Sequence, residues 1–456
     1  MIGIPGIAPV FIAVVALVAV GAECARGADP AADVAAFLRE RGIDREQRRD
    51  LEQATAWGDD QQELAIRVLA RLTPPIEVAT GWRTAAADLP AEAPAIGDAL
   101  VRVRGRATFV APQQLTPDQQ QLFGQPAFDV VRLVAADGRG IDVLVKAAPK
   151  AWPRWQPFDE PASVVGLPLS AGVGPMPTGA PADASAWPEP RPAVVMAASG
   201  VAFEPATPLG SLGMDYALFD SVRDGGRLSA GDAGAFYAML AAVERDEGRR
   251  EPVSDDTLLA VIDPARKWYA DHRGDPVTIT GIARKATRIE IDEPFRREQL
   301  GTDHYWELFV FVNTPLIRID GQDQDTYPIV CCVRDLPPGM PTGDSISEGV
   351  RVDGFALKRY GYPLADVSII SSQGDREETG KRRETALLVA RRAEWRKPPS
   401  TAETSGVLSW IFAGLGAAVA VAVIYALWAS NRAARRADRQ AREALPDRVD
   451  LPHDGT

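Results

Sequence analysis

Residues 274–281 read Gly-Asp-Pro-Val-Thr-Ile-Thr-Gly, and this stretch sets the pattern from which the fold is predicted. Apolar and polar residues alternate up to Gly281, which indicates a β-strand with a bulge or tight bend. Residues 97–105 repeat the order, with Gly97 and Asp98 followed by alternating valines and then Gly105. Two β domains are therefore expected to open in the same way.

Four further segments follow each opening strand in the same order. They are 128–134 and 305–312, 141–145 and 329–333, Glu160 to Gly166 and Glu348 to Gly354, and 194–198 and 386–390. The Glu-to-Gly spacing is the same in both copies. Because chance mimics an ordered series poorly, five short strands that recur twice indicate an internal duplication.

Each set of strands is preceded by a segment with helical spacing of apolar residues, 60–72 in one copy and 232–243 in the other. The predicted organisation is 1–28 as a signal peptide or N-terminal apolar segment, 29–96 as a first helical lead-in, 97–205 as a first β domain, 206–273 as a second helical lead-in, 274–397 as a second β domain, 398–406 as a linker, 407–428 as a transmembrane helix and 429–456 as a basic cytoplasmic tail.

The two glycine-terminated patterns, 274–281 and 348–354, resemble those of the OB-fold, a five-stranded Greek-key barrel. The resemblance covers about 97–205 and 275–396, and it implies modules that bind oligonucleotides, oligosaccharides or proteins. Residues 336–347 depart from it, because they are rich in Pro and Gly where many members place a helix. Residues 336–343 also resemble exported proteins of planctomycete type, which implies no function.

Two apolar segments predict export and membrane anchoring. Val10 to Ala22 is uncharged and resembles the core of a signal peptide, with an uncleaved N-terminal anchor as the alternative. Residues 407–428 carry no charge over about 22 residues, which is enough to cross a bilayer core of roughly 30 Å. We therefore expect a single-pass protein of the inner membrane.

The orientation follows from the residues that flank the second apolar segment. Aromatic residues near its ends suit the membrane interface, and arginines that follow it stay in the cytoplasm. The predicted interface residues are Trp410, Tyr425, Trp428, Arg432, Arg435 and Arg436. The bulk of the chain is then expected in the periplasm or another extracytoplasmic space, with the lipid bilayer and an envelope protein as partners.

The chain of 456 residues is 46% hydrophobic and 25% charged, with a net charge of −12, which fits a globular protein. The acidic balance argues against a nucleic-acid partner. The three cysteines are too few and too poorly spaced to stabilise the fold through disulfide bonds; they are Cys24, Cys331 and Cys332. Cys331 and Cys332 are expected to point to opposite faces of a strand, either as core residues or in a vicinal or intermolecular disulfide.

Catalytic and metal-binding patterns are not recognised in the sequence, and no cofactor is predicted. The three histidines, His272, His304 and His453, are far apart, whereas a zinc cluster or a triad needs convergent ligands. Asp320, Asp323 and Asp325 lie in one loop but lack the order of an EF-hand. A solvated hairpin tip is the preferred interpretation of that loop.

The second β domain carries cations and aromatic residues where the first has Leu167-Pro168-Leu169. Such side chains can stack on a base or a sugar, although they can equally cover the end of a sheet. The predicted ligand-binding residues are Trp306, Tyr327, Lys358, Arg359, Tyr360 and Tyr362.

The predicted fold is mainly β with helical lead-ins, and consists of two tandem OB-like five-stranded barrels plus one C-terminal transmembrane helix. The favoured function is binding or scaffolding of an envelope partner by the exterior modules. An exported hydrolase or transferase that uses carboxylates such as Glu160 and Glu348 is the alternative, and a structural spacer is a third hypothesis.

Overall fold

The computed structural model describes residues 30–90, 99–175, 177–188, 192–319, 322–363 and 382–397, together with residues 418, 419, 421–426, 428 and 432. Within these residues the protein is mainly β, with two sheets, each preceded along the chain by helices.

Four helices precede the first sheet: α1 (Pro30–Glu40), α2 (Arg45–Gln53), α3 (Asp59–Arg71) and α4 (Ile76–Ala85). Helix α2 starts at a capping box in which Asp44 accepts from the backbone of Gln47 and the Gln47 side chain accepts from Asp44 N–H. Their apolar faces form one cluster with the outer face of the first sheet, in which Ile66 and Leu69 of α3 are fully buried.

The first sheet has seven strands in the spatial order β1-β2-β3-β4-β6-β5-β7, and β2 also pairs with β5. The strands are β1 (Ala87–Asp88), β2 (Val101–Gln114), β3 (Ala127–Ala135), β4 (Gly140–Val145), β5 (Glu160–Ala171), β6 (Val194–Ala198) and β7 (Ala202–Phe203). Helix α5 (Pro117–Phe123) connects β2 to β3.

Three α-helices and several short 3-10 helices link the two sheets. The α-helices are α6 (Ala230–Ala242), α7 (Asp255–Ile262) and α8 (Tyr269–His272), and the 3-10 helices are Gly210–Leu212, Tyr216–Ser221, Val243–Arg245 and Pro264–Arg266. Helix α6 packs its buried side chains, including Phe236 and Met239, against the outer face of the second sheet.

The second sheet has five strands that close on themselves in the order β10-β12-β11-β8-β9. They are β8 (Pro276–Glu290), β9 (His304–Ile319), β10 (Gln322–Asp335), β11 (Glu348–Pro363) and β12 (Arg382–Arg396), and α9 (Pro294–Leu300) connects β8 to β9. Arg334, buried at the end of β10, donates to the carbonyls of Leu240 and Leu300. This single guanidinium satisfies carbonyl groups at the C-terminal ends of both α6 and α9.

The first two long strands pair in the same register in both sheets, β2 with β3 and β8 with β9. Gly105 lies opposite Ala135, and the equivalent Gly281 lies opposite Val312. The pairing shifts between Ala107 and Phe109 in the first sheet and between Ala283 and Lys285 in the second, which are equivalent positions. A β-bulge at the same place in both sheets supports descent from one duplicated unit.

The remaining pairings agree with that equivalence. Glu160 lies opposite Ala107 and Glu348 opposite Ala283, while Val101 pairs with Gly166 and Val277 with Gly354. Both sheets also contain one parallel pairing between their third and fifth equivalent strands, β4–β6 and β10–β12. Two mainly-β sheets in tandem are thus present.

The predicted fold class is wrong in two respects. The first sheet has seven strands because the flanking residues 87–88 and 202–203 extend its edges alongside β2 and β5. In the described part of the chain, no helix combines the length and the apolar character needed to cross a membrane. The longest described helices have 13 residues, about 20 Å, which is shorter than a bilayer core.

Most of the predicted membrane segment 407–428 lies outside the described residues, as do Trp410, Arg435 and Arg436. The predicted signal segment 1–28 also lies outside them. Tyr425 and Trp428 are described and exposed, and the Arg432 guanidinium lies 4.9 Å from the centre of the Trp428 ring.

Candidate functional site

Strand β9 presents Tyr305, Glu307 and Phe309 on one face, because side chains two residues apart point the same way. Helix α6 covers part of this face, with the Phe236 and Tyr305 rings edge to face at 5.1 Å. Tyr305 is buried, whereas Glu307 and Phe309 are half-buried. A carboxylate therefore sits at the margin of an apolar interface.

Glu307 makes no hydrogen bond and no ion pair within 4 Å to any residue that the structure describes. Burial raises the pKa of its carboxyl group, and the positive charges of Lys285 and Arg227 act in the opposite direction. A half-buried carboxylate without a partner is costly to folding, since a desolvated polar group that is left unpaired costs about 1–3 kcal/mol. Such groups are candidates for functional sites.

Thr287 provides a second unpaired polar group at the same place. It lies directly opposite Glu307 on the neighbouring strand β8. Its hydroxyl oxygen is buried and has no hydrogen-bond partner among the described residues. Two adjacent unsatisfied groups, one an acceptor and one able to donate or accept, form a place that a ligand's polar atoms can complete.

Aromatic rings and cations surround these two groups. Lys285 lies opposite Phe309, with its ammonium 6.0 Å from the ring centre, and it also pairs with the exposed Asp344 at 2.9 Å. Burial and then the negative charge of Glu307 raise the pKa of the Tyr360 hydroxyl. We call the surface formed by Arg227, Lys285, Tyr305, Glu307, Phe309 and Tyr360 the Glu307 face.

Of the predicted ligand-binding residues, Lys358 is the most deeply buried. Its side chain is 1% exposed, and its ammonium donates to Asp232 of α6 at 2.8 Å and to the Arg227 carbonyl at 3.3 Å. Asp232 is fully buried and also accepts from Ser229 and from Arg223 N–H. Burial alone would raise the pKa of Asp232, but Lys358 and these hydrogen bonds together lower it. In the described structure Lys358 therefore anchors α6 to β11.

The next residues of β11 also contact the segment before α6. Arg359 pairs with Glu384 at 3.5 Å, and its backbone N–H donates to Asp224 at 2.9 Å. Tyr360 forms a parallel bridge with Gly226 and belongs to the Glu307 face. The backbone of Tyr362 continues the strand, and its side chain lies outside the described part.

Trp306 and Tyr327 lie apart from that segment. Trp306 is half-buried and packs edge to face with His304 at 5.9 Å. The Tyr327 hydroxyl donates to the carbonyl of Glu384. The structure thus brings Tyr360 to the Glu307 face and places the other described residues in internal contacts, and a ligand role for the full set stays a prediction.

The carboxylates of the enzymatic alternative lie in different sheets. Glu160 begins β5 and Glu348 begins β11, each opposite an alanine.

His272 pairs with Asp275 and His304 with Asp303, both in exposed positions. Cys331 and Cys332 are buried, free thiols on opposite faces of β10, with Cys332 in the cluster under α6. Among the described residues no group of three or more His, Cys, Asp or Glu could hold a metal ion.

One cavity of about 450 Å³ lies away from the Glu307 face. It is lined by residues of the segment 204–206, by 210–213 and by Arg245, whose guanidinium donates to the Leu212 carbonyl. Because the Arg245 guanidinium already bonds within the protein and the cavity is wide open, this cavity offers few groups that could recognise a ligand.

Sequence reasoning missed the central residue of the site. Glu307 interrupts an otherwise apolar and aromatic run in β9, and this is the signal that could have revealed it. Arg227, Lys285 and Thr287 could not be assigned, because they approach Glu307 only when β8 and the segment before α6 are folded against β9.

Neither a protein-family model nor a curated protein matches this chain.

Proposed function

We propose that this protein is a non-enzymatic binding module outside the cytoplasm, and that the Glu307 face of its second β domain contacts a protein partner. The observation that carries the proposal is the half-buried Glu307 carboxylate without a hydrogen bond or ion pair to a described residue, next to the unsatisfied Thr287 hydroxyl. A polar group of a partner would satisfy both atoms, whereas the free protein bears the cost of leaving them unpaired.

The composition of the face favours a protein over a nucleic acid. Tyr305, Phe309 and Tyr360 supply aromatic surface, and aromatic residues are enriched at protein interfaces. The net charge of −12 repels phosphate. Export is supported by the uncharged apolar run Val10 to Ala22.

Site-directed photo-cross-linking in the native host tests the proposal. A benzoylphenylalanine placed at Asp344, an exposed residue paired with Lys285, should cross-link to one discrete protein. The same group at Asp118, exposed on the connecting helix of the first β domain, is the matched control and should not. Adding Glu307→Gln should reduce the cross-link at 344 at least fivefold.

Identical products from positions 344 and 118, or a product that Glu307→Gln leaves unchanged, would refute a partner at this face. Circular dichroism of the purified variant checks that its fold is intact. Fractionation of the same cells tests the location, and the proposal expects the chain to be accessible to protease from the extracytoplasmic side.

A further inference from the structure

Three positions that are apolar in the first sheet are polar in the second. In the first sheet they form a row across β2, β3 and β4 whose side chains are all fully buried: Ala111, Val130 and Leu144. The same pairings in the second sheet give a row across β8, β9 and β10: Thr287, Glu307 and Cys332. The second domain thus carries a carboxylate at a position that the first domain fills with a valine.

In the first domain a tryptophan covers the β2 end of this row. Trp155 is buried and belongs to one apolar cluster with Phe109 and Ala111. Its backbone N–H donates to the Val110 carbonyl at 2.9 Å, and its φ of 59° is positive. The loop before β5 thus places a large side chain beside the row.

In the second domain the equivalent place holds a glycine. The Gly343 N–H donates to the Ala286 carbonyl at 2.9 Å, and Ala286 occupies the position of Val110. The φ of Gly343, 130°, is positive as well. A Cβ on Gly343 would meet no described atom within 4 Å. Among the described residues, the cover that Trp155 gives the first domain is therefore missing beside Thr287.

The group that Glu307 lacks at this opening is a counter-ion. Other buried or half-buried carboxylates of the chain pair with arginines: Asp142 with Arg132, Asp129 with Arg154 and Asp353 with Arg351. Glu307 makes no ion pair with a described residue. Lys285 is engaged with Asp344 at 2.9 Å, and Arg227 is exposed and lies beyond ion-pair distance. A cation from outside the described chain would complete the site.

A guanidinium suits this place better than an ammonium ion. Glu307 and Thr287 lie directly opposite each other on adjacent strands, where Cβ atoms are about 5 Å apart. The planar fork of a guanidinium can donate to both side chains at once. It is also less strongly hydrated than an ammonium ion, so it enters a half-buried site at lower cost.

We propose that the Glu307 face binds an arginine side chain of the protein partner, with the guanidinium between Glu307 and Thr287. This inference rests on the proposed function and names the group by which the partner is recognised. The arginine supplies the counter-ion that the other carboxylates obtain within the chain. The open position at Gly343 admits its side chain.

Saturation-transfer-difference NMR of the purified full-length protein tests the inference. The probe is N-acetyl-arginine methylamide. The citrulline analogue, which has the same shape without the charge, is its matched control, and the lysine analogue tests the choice of a guanidinium. The arginine probe should receive at least fivefold more saturation than the citrulline analogue and at least twofold more than the lysine analogue.

Variants of the protein locate the contact. Glu307→Gln should reduce the saturation of the arginine probe at least fivefold and Thr287→Val at least twofold. Glu298→Gln, at an exposed position of α9, should leave it unchanged. An arginine signal that is absent, equals that of either analogue, or survives Glu307→Gln would overturn the inference. Binding that appears only after Arg227→Gln would show that the chain's own arginine fills the site, and would overturn it too.

The cross-link at position 344 separates this inference from the proposed function. A discrete cross-linked partner without any arginine preference would leave the partner surface standing and refute the arginine. If the inference holds, the cross-linked segment contains an arginine, and its replacement by glutamine should reduce the cross-link at least fivefold. A cross-linked segment without arginine would refute the inference alone. No discrete cross-link at 344 would refute both proposals, whatever the probe shows.

Discussion

Glu307 and Lys358 are charged residues of the same sheet, and they differ in whether a described residue pairs with their charge. Both are charged groups on strands that face the region of α6. Lys358 is 1% exposed and is stabilised by Asp232 and a carbonyl, whereas Glu307 lies at the margin of the same interface with no bonded partner among the described residues. The partner, and not the residue type, decides whether a buried charge stabilises the fold.

Replacing Glu307 by Gln should stabilise the protein at neutral pH by roughly 1 kcal/mol, because it removes an unpaired, half-buried charge. Burial raises the pKa of Glu307 in the folded state, so the folded protein holds this proton more tightly than the unfolded chain. The destabilisation by Glu307 therefore grows as pH rises through the window between the ordinary and the raised pKa. Urea unfolding at pH 7.5 and pH 4 should show the advantage of the variant only at the higher pH.

Glu298, exposed on α9, is the matched control for that measurement. Glu298→Gln should change the unfolding free energy by less than about 0.5 kcal/mol at either pH. A Glu307→Gln variant that is less stable than the parent at pH 7.5 would show that the carboxylate has a partner in the free protein.

Replacing Lys358 by Met should cost about 3–5 kcal/mol, because it leaves the Asp232 carboxylate buried without its counter-ion. The pKa of Asp232 is lowered in the fold, so its contribution is present above the ordinary aspartate pKa and is lost as pH falls through the lowered value. The double variant with Asp232→Asn should recover part of the loss. Chemical denaturation of the three proteins measures the coupling, and additive losses would contradict a direct pair.

At the scale of elements, β2 and β8 each carry a glycine and then a β-bulge at equivalent positions. A Cβ on Gly281 would lie 2.3 Å from the Phe311 carbonyl oxygen, and one on the equivalent Gly105 would lie 2.2 Å from the Val134 carbonyl oxygen. The strands approach too closely there for any side chain. The glycine that ends each opening strand in the sequence pattern is therefore required by the pairing of that strand with the next.

We expect Gly281→Ala to lower the unfolding free energy by about 1–3 kcal/mol, because the backbone must shift to admit the methyl group. Gly200→Ala is the control, since a Cβ there meets nothing within 4 Å. Thermal unfolding monitored by circular dichroism compares the two variants. Equal melting temperatures would show that the backbone at Gly281 adjusts without cost.

The connecting helices α5 and α9 are a part of each domain that the sequence patterns did not predict. Each begins with a proline in its first turn and ends at a glycine with positive φ, Gly124 and Gly301. Proline suits the helix start and glycine the left-handed position after its end, so the signal was present. It was missed because seven residues are too few to display helical periodicity.

At the scale of the molecule, Tyr216 packs against apolar clusters of both sheets. Its ring lies 6.1 Å from Phe203 and 5.0 Å from Phe219, and its hydroxyl accepts from Thr207 and donates to the Gly274 carbonyl. A single side chain thus contacts the last strand of the first sheet and the residue that lies just before the first strand of the second sheet.

Tyr216→Ala should destabilise the protein by about 3 kcal/mol, because it removes a large aromatic side chain from between two clusters. Tyr216→Phe keeps the ring and should cost no more than about 1.5 kcal/mol for its hydrogen bonds. Calorimetry should show one unfolding transition for the parent and for Tyr216→Phe, and two for Tyr216→Ala. A single transition in all three would show that other contacts couple the domains.

The sequence by itself determined the two successive sets of strands, their recurring order and the glycines at their bends. These are local properties, because alternation and glycine spacing reflect the geometry of one strand and its immediate neighbour. It did not determine the edge strands β1 and β7, which consist of two residues each and have no periodicity to detect.

Only the tertiary structure decided which polar side chains are paired and which are not. Lys358 meets Asp232 across 126 positions of the chain, and Glu307 meets Thr287 through the register of β8 and β9. Burial and pairing arise from contacts between distant segments, so the same run of cations and aromatic residues could form a binding site or an internal anchor. Packing of α6 on the second sheet made Lys358 an anchor and left Glu307 at the surface that we propose for binding.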